Sequence, residues 1–116
     1  MNYEEMEQWQ LDQLIHNHVV CGGEWAIFFS GKGCEWVNVK TDQSISFAKF
    51  EAIDGVKRYE KPENAWPIIE LAWDYLMAED SHYHSHTVWD AYCIEHGVTK
   101  IRAAMICFLK MKDAEK

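Results

Sequence analysis

The chain has 116 residues, of which 48% are hydrophobic and 26% charged, and its formal net charge at pH 7 is −8. A chain of this length is typical of one domain and can bury a sufficient core without disulfides or a structural metal. Its acidic balance argues against direct binding to DNA or RNA, because it removes the attraction to phosphate that supplies most non-specific affinity. Mimicry of DNA by an acidic surface is the opposite hypothesis, but it calls for denser carboxylates than this sequence carries.

The first residues contain neither a basic segment nor an apolar segment of the kind found in a signal peptide. No apolar run approaches the roughly 18 residues that a membrane span requires. The four cysteines, Cys21, Cys34, Cys93 and Cys107, are therefore expected to be reduced thiols rather than a disulfide set. Together these features predict a cytoplasmic protein, with no contact to a membrane.

The chain opens with a predicted helix that Gly22 and Gly23 end. Asn2 can cap it, and Glu5, three residues later, completes a capping-box pattern. Its apolar face follows the helical spacing of three and four residues. The residues of that face are Leu11, Leu14, Ile15 and His18.

Three short segments then predict an antiparallel sheet. Residues 25–29 and 34–39 are apolar and aromatic, and the glycines of 30–33 permit the tight turn of a hairpin. Residues 44–50 alternate and predict a third strand.

A helix is predicted to follow, with Asn64 as its N-cap and its end near Met77. Pro67 then lies in the first turn, where its missing N–H costs no intrahelical hydrogen bond. The spacing of the large apolar residues predicts that one face is buried in the core. That face consists of Trp66, Ile69, Trp73 and Leu76.

The last third is predicted as a loop, a strand and a helix. Residues 79–86 are polar, whereas 87–94 are apolar on both faces of a strand, which is typical of a strand covered on both sides. Thr99 caps the last helix, and the tail is expected to fray from about residue 112. We therefore predict one α+β domain over residues 1–116, with a small, mainly antiparallel sheet packed between helices as an α/β/α sandwich.

Two segments resemble a known family. The Ala-Trp-Pro-Ile-Ile stretch at 65–69 and the Ile-Arg-Ala-Ala-Met-Ile-Cys-Phe-Leu-Lys-Met stretch at 101–111 are similar to those of the NinX family of lambdoid-phage accessory proteins. The resemblance implies a helix–sheet–helix sandwich and a phage product that acts in the bacterial cytoplasm. It implies no catalytic residue, because the family has no assigned activity. Cys107 stands where a branched aliphatic residue is more usual.

Histidines provide the main candidates for chemistry. His82, His84 and His86 alternate, so that in an extended chain they could converge on a metal ion, with Glu79 or Asp80 completing the shell. The alternative, a solvated loop, is favoured because no further ligand pair lies at a characteristic spacing. His16, His18 and Cys21 form a weaker cluster, and Cys93 lies near His96 in sequence but is expected to be a buried strand residue. We predict no catalytic residue and no cofactor.

Aromatic residues provide the main candidates for binding. The chain holds six Trp, five Tyr and five Phe, and we assign Trp66, Trp73 and Trp89 to the core. A small core has limited room for the others, and aromatic side chains are enriched at protein interfaces. The predicted partner-binding residues are Trp9, Trp25, Trp36, Asp80 and Tyr83.

These features favour a non-catalytic accessory protein that binds and modulates a host or phage protein. Inhibitors of host defence systems, CRISPR complexes included, belong to this class. Two alternatives remain open. One is a small-ligand protein that holds a nucleotide signal in a pocket of Trp and His side chains. The other is a metal-dependent enzyme that uses His82, His84 and His86. The sequence leaves the oligomeric state open.

Overall fold

The computed structural model describes residues 2–115. The sequence predicted a single domain. In the structure, residues contact one another mainly within two compact units of the chain. We call Glu7–Lys57 the sheet unit, and Met1–Met6 together with Arg58–Lys116 the helical unit.

The sheet unit contains helix α1 (Gln8–Val19) and strands β1 (Trp25–Ser30), β2 (Gly33–Asn38) and β3 (Ser44–Ala48). The predicted Asn2 cap of α1 is wrong, because Tyr3–Glu5 forms a separate 3-10 turn and Met6 is extended. Glu7 is the actual N-cap, and its backbone N–H donates to Gln10 Oε1 over 2.8 Å. Gln10 at the third helical position supplies the capping box that Glu5 was expected to form.

The three strands form an antiparallel sheet in the order β1-β2-β3, which confirms the hairpin and the third strand. Phe28 of β1 pairs with Glu35 of β2, which pairs with Ser46 of β3, and all three side chains are exposed. The opposite face carries the fully buried Trp36 and packs against α1. At Gly33 a Cβ atom would lie 2.0 Å from the Phe47 carbonyl oxygen, so only glycine permits this approach of β2 to β3.

Trp36 is held from α1 by a buried amide. Gln13 Oε1 accepts a hydrogen bond from Trp36 Nε1 over 3.0 Å and from Cys34 Sγ over 3.1 Å. The ring of His16 lies edge-on to Trp36 at 6.4 Å between centroids. This network joins α1 to the middle strand. Without Gln13, the Cys34 S–H and the Trp36 N–H would be buried without a hydrogen-bond partner, which would destabilise the sheet unit.

The helical unit consists of the 3-10 turn and helices α2 (Pro62–Leu71), α3 (Trp73–Met77), α4 (Val88–His96) and α5 (Lys100–Ala114). Seven consecutive residues of α5, Ala103–Leu109, are buried. As predicted, Thr99 caps α5, with its Oγ1 accepting from the Arg102 N–H over 3.2 Å. The helix continues to Ala114 and the Asp113 carboxylate accepts from the Tyr3 hydroxyl, so the fraying expected from residue 112 is not observed up to Glu115.

The predicted strand at 87–94 is wrong, because this segment is α4. Thr87 Oγ1 accepts from the Asp90 N–H over 3.1 Å, and Gly97 ends the helix in the left-handed conformation with φ of 63°. These are the two standard end signals of a helix. The argument for a doubly covered strand therefore does not hold, whereas the α+β class and the antiparallel sheet packed against a helix are confirmed.

Within residues 2–115, no helix has the length and apolar character that crossing a membrane would require.

The 3-10 turn is tied to α4 and α5 by Glu4. Its Oε1 accepts from the Tyr92 hydroxyl over 2.6 Å and from Lys110 Nζ over 2.7 Å, and Arg102 donates to the Met6 carbonyl over 2.6 Å. Partial burial raises the pKa of Glu4, but the hydrogen bonds from Lys110 and Tyr92 outweigh it and lower the pKa from 4.5 to about 2. The ionised carboxylate therefore stabilises the folded helical unit.

Replacing Glu4 with Gln is expected to lower the free energy of unfolding at pH 7 by about 1–2 kcal/mol, the range for a partly exposed charge-assisted hydrogen bond. The folded pKa lies below the unfolded one, so the stabilisation is present above pH 4.5 and is lost as the pH falls toward 2. Urea unfolding of both proteins across this range measures the difference. The exposed neighbour Glu5, replaced with Gln, is the control, and an equal loss in that variant would contradict the assignment.

His16 gives the sheet unit a second pH dependence. Its side chain is 3% exposed, its Nδ1 has no hydrogen-bond partner among the described residues, and burial lowers its pKa from 6.5. Because the unfolded chain binds the proton more readily, stability is fully present above pH 6.5 and declines as the pH falls below it. Urea unfolding at pH 7.5 and 5.5 should show a larger decline in the wild-type protein than in His16→Gln, and equal declines would refute the role of His16.

Candidate functional site

Helices α2 and α3 bury one stripe of small and aliphatic side chains. The spacing of three, four and seven residues places these side chains on one helical face, and α2 packs with that face in contact with α5. The stripe consists of Ala65, Ile68, Ile69, Ala72 and Leu76, all of which are buried.

A second apolar stripe on the same helices faces solvent. Trp66, Trp73 and Met77 are 52%, 46% and 45% exposed. The Ala72 N–H donates to the Ile68 carbonyl over 3.1 Å and the Leu76 N–H to the Ala72 carbonyl over 2.9 Å. Ala72, with φ of −100° and ψ of 8°, separates the two helices, so Trp66 is exposed on α2 whereas Trp73 and Met77 are exposed one turn apart on α3.

Carboxylates accompany this stripe. Glu63, Glu70 and Asp74 are exposed, and no basic side chain forms an ion pair with them within residues 2–115. Glu70 follows Trp66 by four residues within α2, so the two side chains are neighbours on the surface of that helix. We call this surface the aromatic–acidic face, consisting of Glu63, Trp66, Glu70, Trp73, Asp74 and Met77.

The side chains of this face are of kinds that are common in protein interfaces. Two large rigid indoles and a thioether provide apolar contact area, and Trp is the residue type most enriched among the energetically dominant residues of interfaces. The unpaired carboxylates around them attract cationic groups, and a cation placed over an indole ring is further stabilised. A basic surface with apolar or aromatic pockets would complement both features.

The expected exposure of Trp36 is wrong, because its side chain is 0% exposed and its N–H donates to Gln13. Trp25 is half-buried and lies edge-on to Trp36 at 6.2 Å. Trp9 is half-buried between Phe29 and Phe50, both at 5.6 Å. The three tryptophans of the sheet unit therefore serve mainly its internal packing.

Asp80 and Tyr83 lie in the loop after α3. The Asp80 Oδ2 accepts from the backbone N–H groups of His82 over 2.9 Å and Tyr83 over 2.8 Å, and these bonds lower the pKa of Asp80. Its carboxylate is thus used to form the turn. Tyr83 is exposed, as predicted, and its ring lies edge-on to that of His86 at 6.4 Å.

The three loop histidines, His82, His84 and His86, are all exposed. His84 lies 4.0 Å from Glu79, while His86 packs against Tyr83. Among the residues that the structure describes, no three His, Cys, Asp or Glu side chains lie close enough together to hold a metal ion. The loop therefore provides no geometry for the metal-dependent hypothesis.

Burial acts against thiolate formation at two of the cysteines. Burial raises the pKa of Cys21, and it also raises the pKa of Cys93, which lies in α4 close to His96 in sequence. A catalytic cysteine requires the opposite shift, toward the thiolate.

A depression in the sheet unit contains Trp9. It has a volume of about 250 Å³ and is lined by Glu7, Trp9, Gln10, Phe29, Ser30, Gly31 and Lys49. Glu7 accepts from Trp9 Nε1 over 3.0 Å and forms an ion pair with Lys49 at 3.2 Å, so the two charged side chains that line the depression pair with each other. Ligand pockets usually span about 300–1,000 Å³. No histidine lines the depression, which gives little support to a Trp- and His-lined nucleotide pocket.

The sequence prediction missed the aromatic–acidic face because it assigned Trp66 and Trp73 to the core. The signal that could have revealed it is a second stripe. Ala65, Ile68, Ile69, Ala72 and Leu76 already form a complete helical face, so Trp66 and Trp73 fall outside it.

Comparisons with family models, curated proteins and solved structures found no match to this chain.

Quenching of tryptophan fluorescence can test the aromatic–acidic face. We expect caesium to quench Trp66 and Trp73 more effectively than iodide at low ionic strength, because Glu70 and Asp74 attract the cation and repel the anion. The difference should shrink in the Glu70→Gln, Asp74→Asn variant and disappear in Trp66→Phe, Trp73→Phe. Equal quenching by both ions in the wild-type protein would contradict the proposed electrostatics.

Proposed function

We propose that this chain is a non-catalytic binding protein whose aromatic–acidic face docks on a basic, apolar-pocketed surface of another protein and alters that protein's activity. The observation that supports it most directly is the exposure of Trp66 and Trp73 beside three unpaired carboxylates. Exposing two indoles, one on α2 and one on α3, costs solvation free energy, which binding would recover.

Charge defines the kind of partner. The chain carries −8 overall, and Glu63, Glu70 and Asp74 add negative potential on the docking face itself. Such a field accelerates encounter with basic surfaces and disfavours acidic ones, including nucleic acid. An interface of ordinary size covers about 800 Å² on each partner, so the two indoles form the centre of the contact and neighbouring side chains its rim.

The biological setting of the proposal comes from the NinX-like stretches at 65–69 and 101–111. They favour a phage accessory protein acting in the bacterial cytoplasm, with a host protein or a phage protein as the target. Inhibition of a host defence complex is one form that such binding takes. Trp66 and Pro67 of the first stretch lie at the exposed side of α2.

Affinity capture with matched variants tests the proposal. The wild-type chain, immobilised in lysate of a bacterial host with or without phage, is expected to retain a specific basic protein. Replacing Trp66 and Trp73 with Ser should reduce the affinity about 1,000-fold, since each hot-spot indole contributes about 2 kcal/mol and 1.4 kcal/mol corresponds to a factor of ten. Replacing Glu70 and Asp74 with Lys should weaken binding further, and added salt should weaken the wild-type complex.

The control replaces two exposed apolar residues of the sheet unit, Phe28 and Val39, with Ser. This variant also removes two exposed apolar side chains but should bind like the wild-type chain. Circular dichroism and unfolding curves establish that all variants fold. A partner retained by the Trp66, Trp73 variant, or lost equally by the control, would refute the assignment of the face.

A further inference from the structure

The two edges of the three-stranded sheet differ in how their backbone groups are used. On the β3 side, the Asn38 N–H donates to the Gln43 carbonyl over 2.8 Å and the Lys49 N–H to the Lys32 carbonyl over 3.2 Å. In an antiparallel pair the bonded positions alternate, so Ile45 and Phe47 also bond inward to β2. The backbone N–H and C=O groups of Ser44, Ser46 and Ala48 therefore point outward.

One of these three outward positions is already closed. The Ala48 N–H donates to Glu51 Oε2 over 3.2 Å, and the Ala48 carbonyl accepts from the Glu51 N–H over 2.9 Å. Ser44 and Ser46 are both exposed. The N–H and C=O groups of these two serines are therefore available to bond another strand, and their spacing is that of one repeat of an antiparallel ladder.

The opposite edge, on β1, is better protected. Asn17 of α1 accepts from the Trp25 N–H over 3.1 Å and donates to the Trp25 carbonyl over 2.6 Å, which closes the start of that edge. Ile27, the next outward-pointing residue, is buried. The open edge of the sheet unit is therefore that of β3.

We propose that β3 pairs with β3 of a second copy of this chain about a two-fold axis, forming a continuous six-stranded antiparallel sheet. The closed Ala48 selects the register. Ser44 pairs with Ser46 of the other copy and Ser46 with its Ser44, so that four backbone hydrogen bonds form. Ile45 then lies on the axis, opposite the same residue of the second copy.

The side chains of β3 suit this pairing. The strand Ser-Ile-Ser-Phe-Ala contains no charge and no proline, the two devices that proteins commonly use to block an edge. Ile45 and Phe47 point to the face that carries Trp36 but remain half-exposed at the edge. A second copy would cover them with its own Ile45 and neighbouring residues, in the close cross-strand pairs of a non-hydrogen-bonded position.

Self-complementarity favours a second copy over an unrelated extended segment. Ser44 and Ser46 are the same residue type and lie on either side of Ile45. A two-fold rotation about Ile45 therefore places the backbone N–H and C=O groups of each serine opposite those of the other, and no further partner is needed to bond them. The formal charge of −8 on each copy opposes association at long range. The dimer is therefore expected to become tighter as salt rises, which is opposite to the salt dependence of the docking face.

Proline and alanine substitutions at Ser46 provide a matched test. Proline at an outward-pointing N–H removes no bond within the chain, but because both copies carry the substitution it removes two of the four bonds between them. By sedimentation equilibrium, the wild-type protein and Ser46→Ala should approach twice the 13.6 kDa monomer mass with rising concentration, whereas folded Ser46→Pro should remain monomeric. Trp66→Ser, Trp73→Ser should still dimerise, which separates this proposal from the proposed function.

Cysteine cross-linking tests the register. Ile45→Cys should form a disulfide-linked dimer on mild oxidation, because opposed residues on the axis lie within bridging distance. Phe47→Cys is the control on the same face, since its two copies would lie about 13 Å apart along the strands, too far to bridge. Peptide mapping distinguishes the new link from the four native cysteines. A wild-type chain that is monomeric at all concentrations, dimerisation unaffected by Ser46→Pro, or equal linking of both cysteine variants would overturn the proposal.

Discussion

The burial of seven consecutive residues in α5, Ala103–Leu109, is the constraint on which the helical unit depends. Seven residues cover nearly two turns, so the middle of this helix is enclosed on all sides rather than along one stripe. Helices α2, α3 and α4 all pack against it. Each neighbour can present only one face to α5, and the choice of that face determines which side chains remain at the surface.

The chosen face of α2 explains the exposed indoles. Ala65 and Ala72, seven residues apart, are both fully buried. Small side chains at these positions let the helix backbones approach closely, whereas indoles there would hold them apart. Turning Trp66 inward would also bring Glu70, its neighbour one turn later on α2, toward an apolar core at a large desolvation cost. Packing and electrostatics therefore favour the same orientation of α2, with Trp66 and Glu70 at the surface.

The sequence predicted the elements whose signals are local. The β1–β2 hairpin, β3 and the Thr99 cap depend on turn glycines, alternation and a capping hydroxyl, each readable within a few residues. It failed at residues 87–94, since a segment that is apolar all round fits either a covered strand or a buried helix, and Thr87 and Gly97 decide between them. The sequence prediction also failed for Trp66 and Trp73. The hydrophobicity of tryptophan favours burial, whereas the stripe of smaller side chains that is actually buried becomes visible only when α2 and α3 are considered as a whole.

The two proposed surfaces differ in charge, so they would bind different partners. The aromatic–acidic face is charged, whereas strand β3 is not. The aromatic–acidic face carries three unpaired carboxylates, which would repel the same face of a second copy and so leave it available for a basic partner. The residues of β3 itself carry no charge, and the Glu51 carboxylate at Ala48 lies beyond the two serines that would pair, so the repulsion that opposes self-pairing comes from outside the paired residues. A dimer formed through β3 would carry two copies of the aromatic–acidic face. For a target that is itself repeated or symmetric, the second contact would then form at a raised effective concentration, which strengthens binding without any new interaction at the face.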